Sequence, residues 1–249
     1  METIYILWLR QLKRYIRNKS RIVGSLGQPL LFLIALGFGF GPIYQRASHG
    51  ANYMQFITPG IIAMTILFTS VFSGIEIIWD RQFGFLKETL VAPVSRVQIM
   101  IGRTLGGATV AMIQGTIVLV LSFLLGFRLT NLALFPLALL VMFLIAVLFT
   151  SIGTAIGSTL SDMQGFQLIM NFLVMPLFFL SGALFPLQGL PTALTVITFC
   201  DPLTYGVDGL RWTLSYNSHF PLSLDLFILF ILSSIVISFG AYLFSKIEV

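Results

Sequence analysis

The sequence has very little charge: 9% of its 249 residues are Asp, Glu, Lys or Arg, against roughly 25% in an ordinary soluble domain. Cysteine and histidine are also scarce. The single cysteine, Cys200, excludes an intrachain disulfide framework and a cysteine-based zinc cluster, and two histidines, His49 and His219, supply few metal ligands. These shortages argue against a soluble enzyme, a metalloprotein and a nucleic-acid-binding domain.

Catalytic motifs are missing as well. The chain contains neither a G-x-x-x-x-G-K-[ST] phosphate-binding loop nor an H-E-x-x-H zinc motif. We expect His49 and His219 to lie in different exposed loops, so that an intramembrane serine protease would lack its general base. We expect Cys200 to be a packed small residue rather than a nucleophile. The sequence therefore predicts no catalytic site and no metal site on this chain.

Long apolar runs are abundant, since 57% of the residues are hydrophobic. A bilayer core about 30 Å thick needs some 20 residues of helix. Six nearly uncharged stretches reach that length, and they predict spans at 22–44, 54–79, 104–127, 132–160, 163–187 and 222–245. The predicted fold is an all-α membrane protein that forms one transmembrane domain over residues 1–249.

The distribution of Lys and Arg predicts the orientation of these spans, because cytoplasmic loops retain positive charge. With the N-terminus inside, the inner segments are 1–21, 80–103, 161–165 and 246–249, and the outer ones are 45–53, 128–131 and 188–221. The inner segments hold eleven of the 14 basic residues. Both termini are therefore expected to be cytoplasmic, and the basic pI reflects topology rather than nucleic-acid binding.

Residues 1–21 have the pattern of an amphipathic helix at about 100° per residue. Arg10, Lys13, Arg14, Arg17 and Arg21 form one face, and Tyr5, Trp8, Leu9, Leu12, Tyr15 and Ile16 form the opposite one. Such a helix is expected to lie along the inner headgroup layer, with its basic residues on lipid phosphates. The alternative is a solvated basic leader.

The longest inner loop, residues 80–103, is too apolar for a solvated linker. Leu86 and Leu90 are four residues apart, so residues 84–91 can form a short amphipathic helix that Pro93 ends. Exposed apolar side chains beside mixed charge are typical of a docking surface for a cytoplasmic partner. A helix that only rests on the membrane explains the same pattern.

The outer segment, residues 188–221, is also unusually apolar. The break at Asp201-Pro202 leaves two pieces too short to span, so two re-entrant helices in the outer leaflet fit best. Asp208 and Arg211 are three residues apart and can pair on one helix face. A surface hairpin without a gating role is the alternative.

Two carboxylates and two glycines within the spans also carry predictions. Glu76 and Asp225 lie near span ends, and we expect interfacial or paired carboxylates there rather than a proton or ion relay. Gly153 and Gly157 form a G-x-x-x-G pattern that permits close helix contact with an unidentified partner.

Two motifs resemble a known family. They are 80-DRQFGFLKETLVAPVSR-96 and 180-LSGALFPLQGLPTALTVITFCDPLTYGVDGLR-211, and they occur in the expected order around six spans with a basic leader. In these features the chain is similar to the permease subunits of ABC-2 type transporters, the group that includes drug, lipo-oligosaccharide and O-antigen exporters. The resemblance covers nearly the whole chain.

The resemblance implies a dimer, with a second copy or a similar permease, that works with two copies of an ATP-binding subunit holding ATP and Mg²⁺. The leader would be an interfacial elbow helix, in which Trp8, Arg10, Lys13, Arg14 and Arg17 meet membrane lipids. Docking to the ATPase would involve Gly84, Leu86, Lys87, Glu88, Leu90, Pro93, Ser95 and Arg96, with Asp162 in a second contact at residues 161–165. An outer gate would involve Pro186, Pro191, Asp201, Pro202, Tyr205, Asp208 and Arg211.

The expected function is export of a lipophilic or amphipathic substrate, such as a drug, glycolipid or polysaccharide, from the cytoplasm or inner leaflet. No cofactor is expected on this chain. The first alternative is an ATP-independent channel or secondary transporter, in which residues 80–103 are an ordinary loop. Intramembrane catalysis is a weaker alternative because the general base is missing.

Overall fold

The protein is described by a computed structural model that covers residues 2–47, 52–85 and 94–245. These residues form eleven α-helices and one 3-10 turn, and they contain no β-strand. The helices are α1 (Glu2–Arg17), α2 (Lys19–Gly39), α3 (Gly41–Ala47), α4 (Tyr53–Phe72), α5 (Ile75–Gln82), α6 (Arg96–Leu124), α7 (Phe135–Thr159), α8 (Met163–Leu180), α9 (Thr192–Cys200), α10 (Pro202–Ser215) and α11 (Leu222–Ser245). The 3-10 turn is Leu132–Leu134.

Six helical stretches are long and apolar enough to cross a membrane, which confirms the predicted number of spans. Helices α4 and α5 together make the second one, Tyr53–Gln82, and the 3-10 turn extends α7 to Leu132–Thr159. Helices α9 and α10 occupy the outer segment and meet at Asp201, where the predicted break falls. Their depth in the membrane stays a prediction.

The core is built around α4. In the most apolar stretch of its span, 78% of the residues are buried. The corresponding share is 17% in α2 and 22% in each of α8 and α11. Helices α6, α7 and α10 pack around α4, and α2 lies beside it. The apolar outer surfaces of α2, α8 and α11 are therefore available to lipid or to another chain.

Close backbone contact joins the α4–α5 junction to α7. A Cβ atom on Gly153 would lie 2.2 Å from the Val71 carbonyl oxygen, and one on Gly74 would lie 2.0 Å from the Gly153 carbonyl oxygen. A Cβ atom on Gly157 would likewise lie 2.5 Å from the Gly74 carbonyl oxygen. The predicted G-x-x-x-G contact is confirmed, and its partner is the bend between α4 and α5.

Gly153→Ala is expected to lower the free energy of unfolding by about 1–3 kcal/mol, because the added methyl must push two backbones apart. Gly27→Ala is the matched control, since a Cβ atom at Gly27 meets nothing within 4 Å. Thermal unfolding of the purified chain in detergent measures both changes. Equal melting temperatures for the two variants would contradict the close contact.

Several helix boundaries differ from the prediction, among them the end of α2 at Gly39 instead of 44. Helix α6 begins at Arg96 instead of 104, since Arg103 pairs with a carboxylate inside the bundle and does not need to mark a span end. Helix α2 begins at Lys19, after a break at Asn18 that caps it. Helix α8 ends at Leu180 rather than 187, because the chain turns at Gly182 with a φ of 72°.

Candidate functional site

A cluster of charged side chains lies where α5 ends. Asp80 accepts hydrogen bonds from Arg10 and Arg103, both at 2.7 Å, and Glu76 accepts one from Arg21 at 3.0 Å. Arg14 lies between the two carboxylates, at 3.8 and 3.9 Å. We call these six residues the basic-end cluster: Arg10, Arg14, Arg21, Glu76, Asp80 and Arg103.

Glu76, Asp80 and Arg103 of the basic-end cluster are buried, whereas its other three arginines are about one-third exposed. Arg103 and Asp80 are only 3% and 4% exposed, so their pairing takes place at low dielectric, where an unpaired charge is costly. The prediction of a paired carboxylate is confirmed for Glu76. Arg10 and Arg14 face carboxylates of α5 and stay 32% and 37% exposed, so their contact with lipid phosphates remains a prediction.

Helix α1 is held against α6 by direct contacts. The Trp8 indole N–H donates to the Thr109 hydroxyl at 3.0 Å, and Leu7 packs over Gly102. Leu7 and Tyr15 are the buried residues of α1. Tyr5 and Ile16, which were placed on the apolar face, are more than half exposed. The buried face is therefore rotated from the predicted one, because the helix packs on protein.

Arg81 connects the end of α5 to the turn between α7 and α8. Its guanidinium donates to the carbonyls of Leu160 at 3.0 Å and Ser158 at 3.1 Å. Close by, the Trp79 indole N–H donates to the Met163 sulfur at 3.1 Å. The two regions predicted to contact an ATPase, residues 80–103 and 161–165, are thus neighbours in space.

Four of the predicted docking residues lie in the described part of the chain. Gly84 has a φ of 80°, Ser95 caps α6 by accepting from the Gln98 N–H, and Arg96 is the first residue of α6. Asp162 caps α8 by accepting from the Gly165 N–H at 2.6 Å. The other five, Leu86, Lys87, Glu88, Leu90 and Pro93, and most of the predicted helix 84–91, lie outside the described residues.

A mostly apolar cavity of about 210 Å³ lies between α1, α2, α4 and α6. Gln114 donates to the Ser25 hydroxyl and accepts from the Thr69 hydroxyl at 3.0 Å. Phe68 and Phe72 line the same cavity from α4. The cavity thus offers amide and hydroxyl groups and the cation Arg21 beside aromatic surface, which suits an amphipathic group.

Arg211 occupies a buried position at the other end of the bundle, where it is 5% exposed. It donates to the carbonyls of Phe56 at 3.4 Å, Gly182 at 2.7 Å and Ala183 at 3.1 Å, and it stacks on the Phe56 ring at 4.0 Å. Burial lowers the pKa of Arg211 to about 10, so it remains a cation at neutral pH. It ties α10 to the start of α4 and to the turn after α8.

Asp208 and Arg211 do not form the predicted direct ion pair, although the charge of Asp208 acts to raise the pKa of Arg211 against the effect of burial. The Asp208 carboxylate accepts from the backbone N–H groups of His219 at 2.8 Å and Phe220 at 2.7 Å, while Arg211 binds carbonyls. Hydrogen bonds from backbone N–H groups to a carboxylate stabilise the fold at least as much as an ion pair between side chains three residues apart on one helix. Asp208 therefore holds the loop that leads into α11.

The remaining outer-gate residues have different surroundings. Asp201 caps α10 by accepting from the Leu203 N–H at 2.8 Å, and burial raises the pKa of Asp201 to about 7. Pro202 follows as the first residue of α10, and the Tyr205 hydroxyl donates to the Phe199 carbonyl at 2.8 Å. Pro186 lines a small cavity with Asp208 and Arg211, whereas Pro191 is exposed at the start of α9.

Two further predictions fail in the structure. Cys200 is exposed rather than packed. Asp225 is fully buried in the first turn of α11, and neither of its carboxylate oxygens has a hydrogen-bond partner among the described residues, so it is not paired there. Sequence reasoning also missed Asp80, Arg81, Arg21 and Arg103 as a structural unit. The four-residue spacing of Glu76 and Asp80, which matches that of Arg10 and Arg14, was the available signal.

A comparison with protein families agrees with this architecture. The family model described as "ABC-2 type transporter" matches residues 2–215, which is most of the chain. The chain belongs to the ABC-2 type transporter family. This confirms the resemblance seen in the two sequence motifs, and it identifies the six apolar helices of this ABC-2 permease as those of a multi-pass membrane transport protein.

Three similar proteins are a nodulation protein and two proteins named as transport permeases. The ABC-2 permease is 29% identical to a putative transport permease ycf38 of Cyanophora paradoxa, over 88% of this chain and 76% of the other. It is 28% identical to nodulation protein J of Rhizobium leguminosarum bv. viciae, over 78% and 75% of the two chains. It is 27% identical to the inner membrane transport permease YadH of Escherichia coli, over 83% and 80%.

Proposed function

We propose that this permease is the membrane subunit of an ATP-driven exporter in the inner membrane, with both termini in the cytoplasm. A separate ATP-binding subunit would hold ATP and Mg²⁺, and this chain would supply no catalytic group. The observation that carries the proposal is the convergence of α1, α5, α6 and the α7–α8 turn on Asp80 and Arg81. These residues directly precede the apolar segment proposed to dock on the ATPase.

The geometry suits transmission of movement from a docked partner. Residues 86–93 lie between α5 and α6 in the sequence, and the Asp80–Arg103 pair joins these two helices at 2.7 Å. A displacement of this segment would therefore act on four helices together. The energy must come from different binding of the ATPase in its two nucleotide states, because a ligand shifts a conformational equilibrium only by its differential affinity.

The cavity beside α2 supports an amphipathic cargo. Its wall combines Gln114 and Thr69 with Phe68 and Phe72, and it lies beside the sparsely buried α2. The proposed cargo is a drug, glycolipid or polysaccharide moved out of the cytoplasm or inner leaflet. The apolar outer faces of α2 and α8 would be covered by lipid or by a second permease copy in a homodimer.

Replacing both Leu86 and Leu90 with Asp tests the docking assignment. The variant is expected to weaken co-purification with the ATP-binding subunit by at least about tenfold, because two buried apolar contacts each contribute about 1.5–3 kcal/mol. ATP-dependent transport in proteoliposomes should be lost as well. The permease's melting temperature should stay unchanged, which separates lost docking from lost folding.

Leu124→Asp/Leu132→Asp is the matched control. Both leucines are more than 70% exposed and lie at the other end of the bundle, so binding of the ATPase should persist. Retained association and transport in the Leu86/Leu90 variant would show that docking lies elsewhere. Transport by the permease alone, without nucleotide, would instead support the channel or secondary transporter.

A further inference from the structure

Two small cavities flank Arg211, at the end of the bundle opposite the basic-end cluster. They measure about 110 and 60 Å³, and they share the wall residues Tyr44, Phe56, Arg211 and Asn217. We call the two cavities together the Arg211 cleft. The cleft has no wall residue in common with the cavity beside α2, so it is a separate site.

The charges in the Arg211 cleft balance each other. The walls that the structure describes contain one guanidinium, of Arg211, and one carboxylate, of Asp208. Both groups are already held by the backbone, since Arg211 donates to the Gly182 carbonyl at 2.7 Å and Asp208 accepts from the Phe220 N–H at 2.7 Å. The cleft therefore favours a neutral ligand over a free anion or cation.

The larger cavity is lined mainly by amide and hydroxyl groups, which Asn52, Gln55, Ser215 and Asn217 contribute. The Oε1 atom of Gln55 is buried and has no hydrogen-bond partner among the described residues. The Oδ1 atom of Asn52 accepts from the Met54 N–H at 2.9 Å, which leaves the amide N–H groups of Asn52 as donors. Because an unpaired buried acceptor is costly, a ligand that donates to Gln55 is favoured.

Aromatic rings form the rest of this wall. The rings of Tyr44 and Phe56 are stacked, with centroids 5.6 Å apart and planes at 26°. A flat apolar face beside several donors and acceptors suits a sugar ring, which carries C–H groups on its face and hydroxyl groups at its edge. A hydrocarbon chain or a fused-ring drug would leave the amide groups without partners.

The volume of the cleft limits how much of a ligand can enter. The larger cavity has room for about three or four waters, at about 30 Å³ each. One edge of a sugar ring fits such a space, because two or three of its hydroxyl groups can take the places and the hydrogen bonds of waters.

We propose that the Arg211 cleft binds one edge of a sugar ring, with hydroxyl groups on Asn52, Gln55 and Asn217 and the C–H face against Tyr44. The proposal rests on the proposed export function, which makes this end of the bundle the outer side, where cargo leaves. It narrows the cargo to a molecule that bears sugar, a glycolipid or polysaccharide rather than a purely apolar drug.

The test uses the full chain, without ATPase or nucleotide, in a detergent that has no sugar head group. Glucose, galactose and mannose are added separately, and sorbitol is the control because it is a polyol of similar size without a ring. At least one of the three sugars should raise the melting temperature in a saturable way, because a ligand that binds only the folded state stabilises it. Sorbitol should give only the non-saturating rise of an excluded osmolyte.

Gln55→Leu tests the position of the site. The half-saturating sugar concentration should rise about tenfold, because one lost hydrogen bond to a buried group is worth about one tenfold factor. Without sugar the melting temperature should not fall, since the variant removes an unpartnered buried acceptor. Asn217→Ala is a second variant at an exposed wall residue, and it should weaken the sugar response in the same direction. Gln82→Leu is the matched control, because Gln82 is exposed at the end of α5 and should leave the response unchanged.

Equal responses to the three sugars and to sorbitol would overturn the proposal. An unaltered sugar response in both Gln55→Leu and Asn217→Ala would also overturn it, because the sugar would then bind elsewhere. The measurement needs neither ATP nor the ATP-binding subunit. Its failure would therefore leave the docking assignment standing, and failure of the Leu86/Leu90 experiment would leave sugar binding at the Arg211 cleft standing.

Discussion

Asp80→Asn is expected to lower the free energy of unfolding by about 3–5 kcal/mol, the cost of leaving a buried charge without its partner. Arg103 is 3% exposed and donates to Asp80 at 2.7 Å, so no solvent replaces the lost carboxylate. Arg10 loses its 2.7 Å partner in the same substitution. Helix α1 should therefore detach from the end of α5 before the rest of the bundle unfolds.

Denaturant or thermal unfolding of the purified permease in detergent measures this loss. Asp162→Asn is the matched control, because it makes the same chemical change at an exposed cap that Asn also supports. Its effect should stay within about 0.5 kcal/mol. Protease cleavage within residues 1–21 should become faster in Asp80→Asn only.

The double variant Asp80→Asn/Arg103→Met separates charge from general disruption. It removes the buried cation together with its partner, and an apolar replacement of a buried ion pair is often neutral. We therefore expect the double variant to recover a large part of the stability that Asp80→Asn loses. If the double variant is as unstable as the single one, the uncompensated charge of Arg103 is not the cause.

Arg211→Met is expected to cost about 2–5 kcal/mol. The substitution leaves the carbonyls of Gly182 and Ala183 without their Arg211 donor in a buried region, at about 1–3 kcal/mol each, and removes a second, longer bond to Phe56. Relief from burying the guanidinium offsets part of this, as the lowered pKa of Arg211 indicates. The loss should still be large, since three segments of chain meet at this side chain.

The stability of Arg211→Lys should fall between that of the unchanged protein and that of Arg211→Met. An ammonium group retains the charge but lacks the planar fork that reaches several carbonyls at once. Arg128→Met is the control, because Arg128 is exposed in the loop before the 3-10 turn. Unfolding by denaturant with far-ultraviolet circular dichroism measures all three variants. Equal stability of Arg211→Met and Arg128→Met would show that the carbonyls find other donors.

The outer segment shows which kinds of prediction succeed. The Asp201-Pro202 break was visible because proline has no N–H and aspartate caps a following helix, and both are local properties. The Asp208–Arg211 pair failed for the opposite reason. Asp208 instead binds N–H groups eleven and twelve residues away, and Arg211 binds carbonyls at Phe56 and Gly182. Helical spacing alone contains no information on these competitors.

The third span shows the same limit. The sequence predicts that this span begins after Arg103, because Arg103 is charged. Helix α6 begins earlier, at Arg96, because Asp80 neutralises Arg103 within the bundle. Asp80 lies 23 residues before Arg103 in the sequence. The sequence by itself determined the six apolar helices, the basic end of the bundle and the family, since each follows from composition, local spacing or motif order. Only the tertiary structure decided which charges pair, which face of α1 is buried and which cations remain free, because those partners lie on helices brought together by packing.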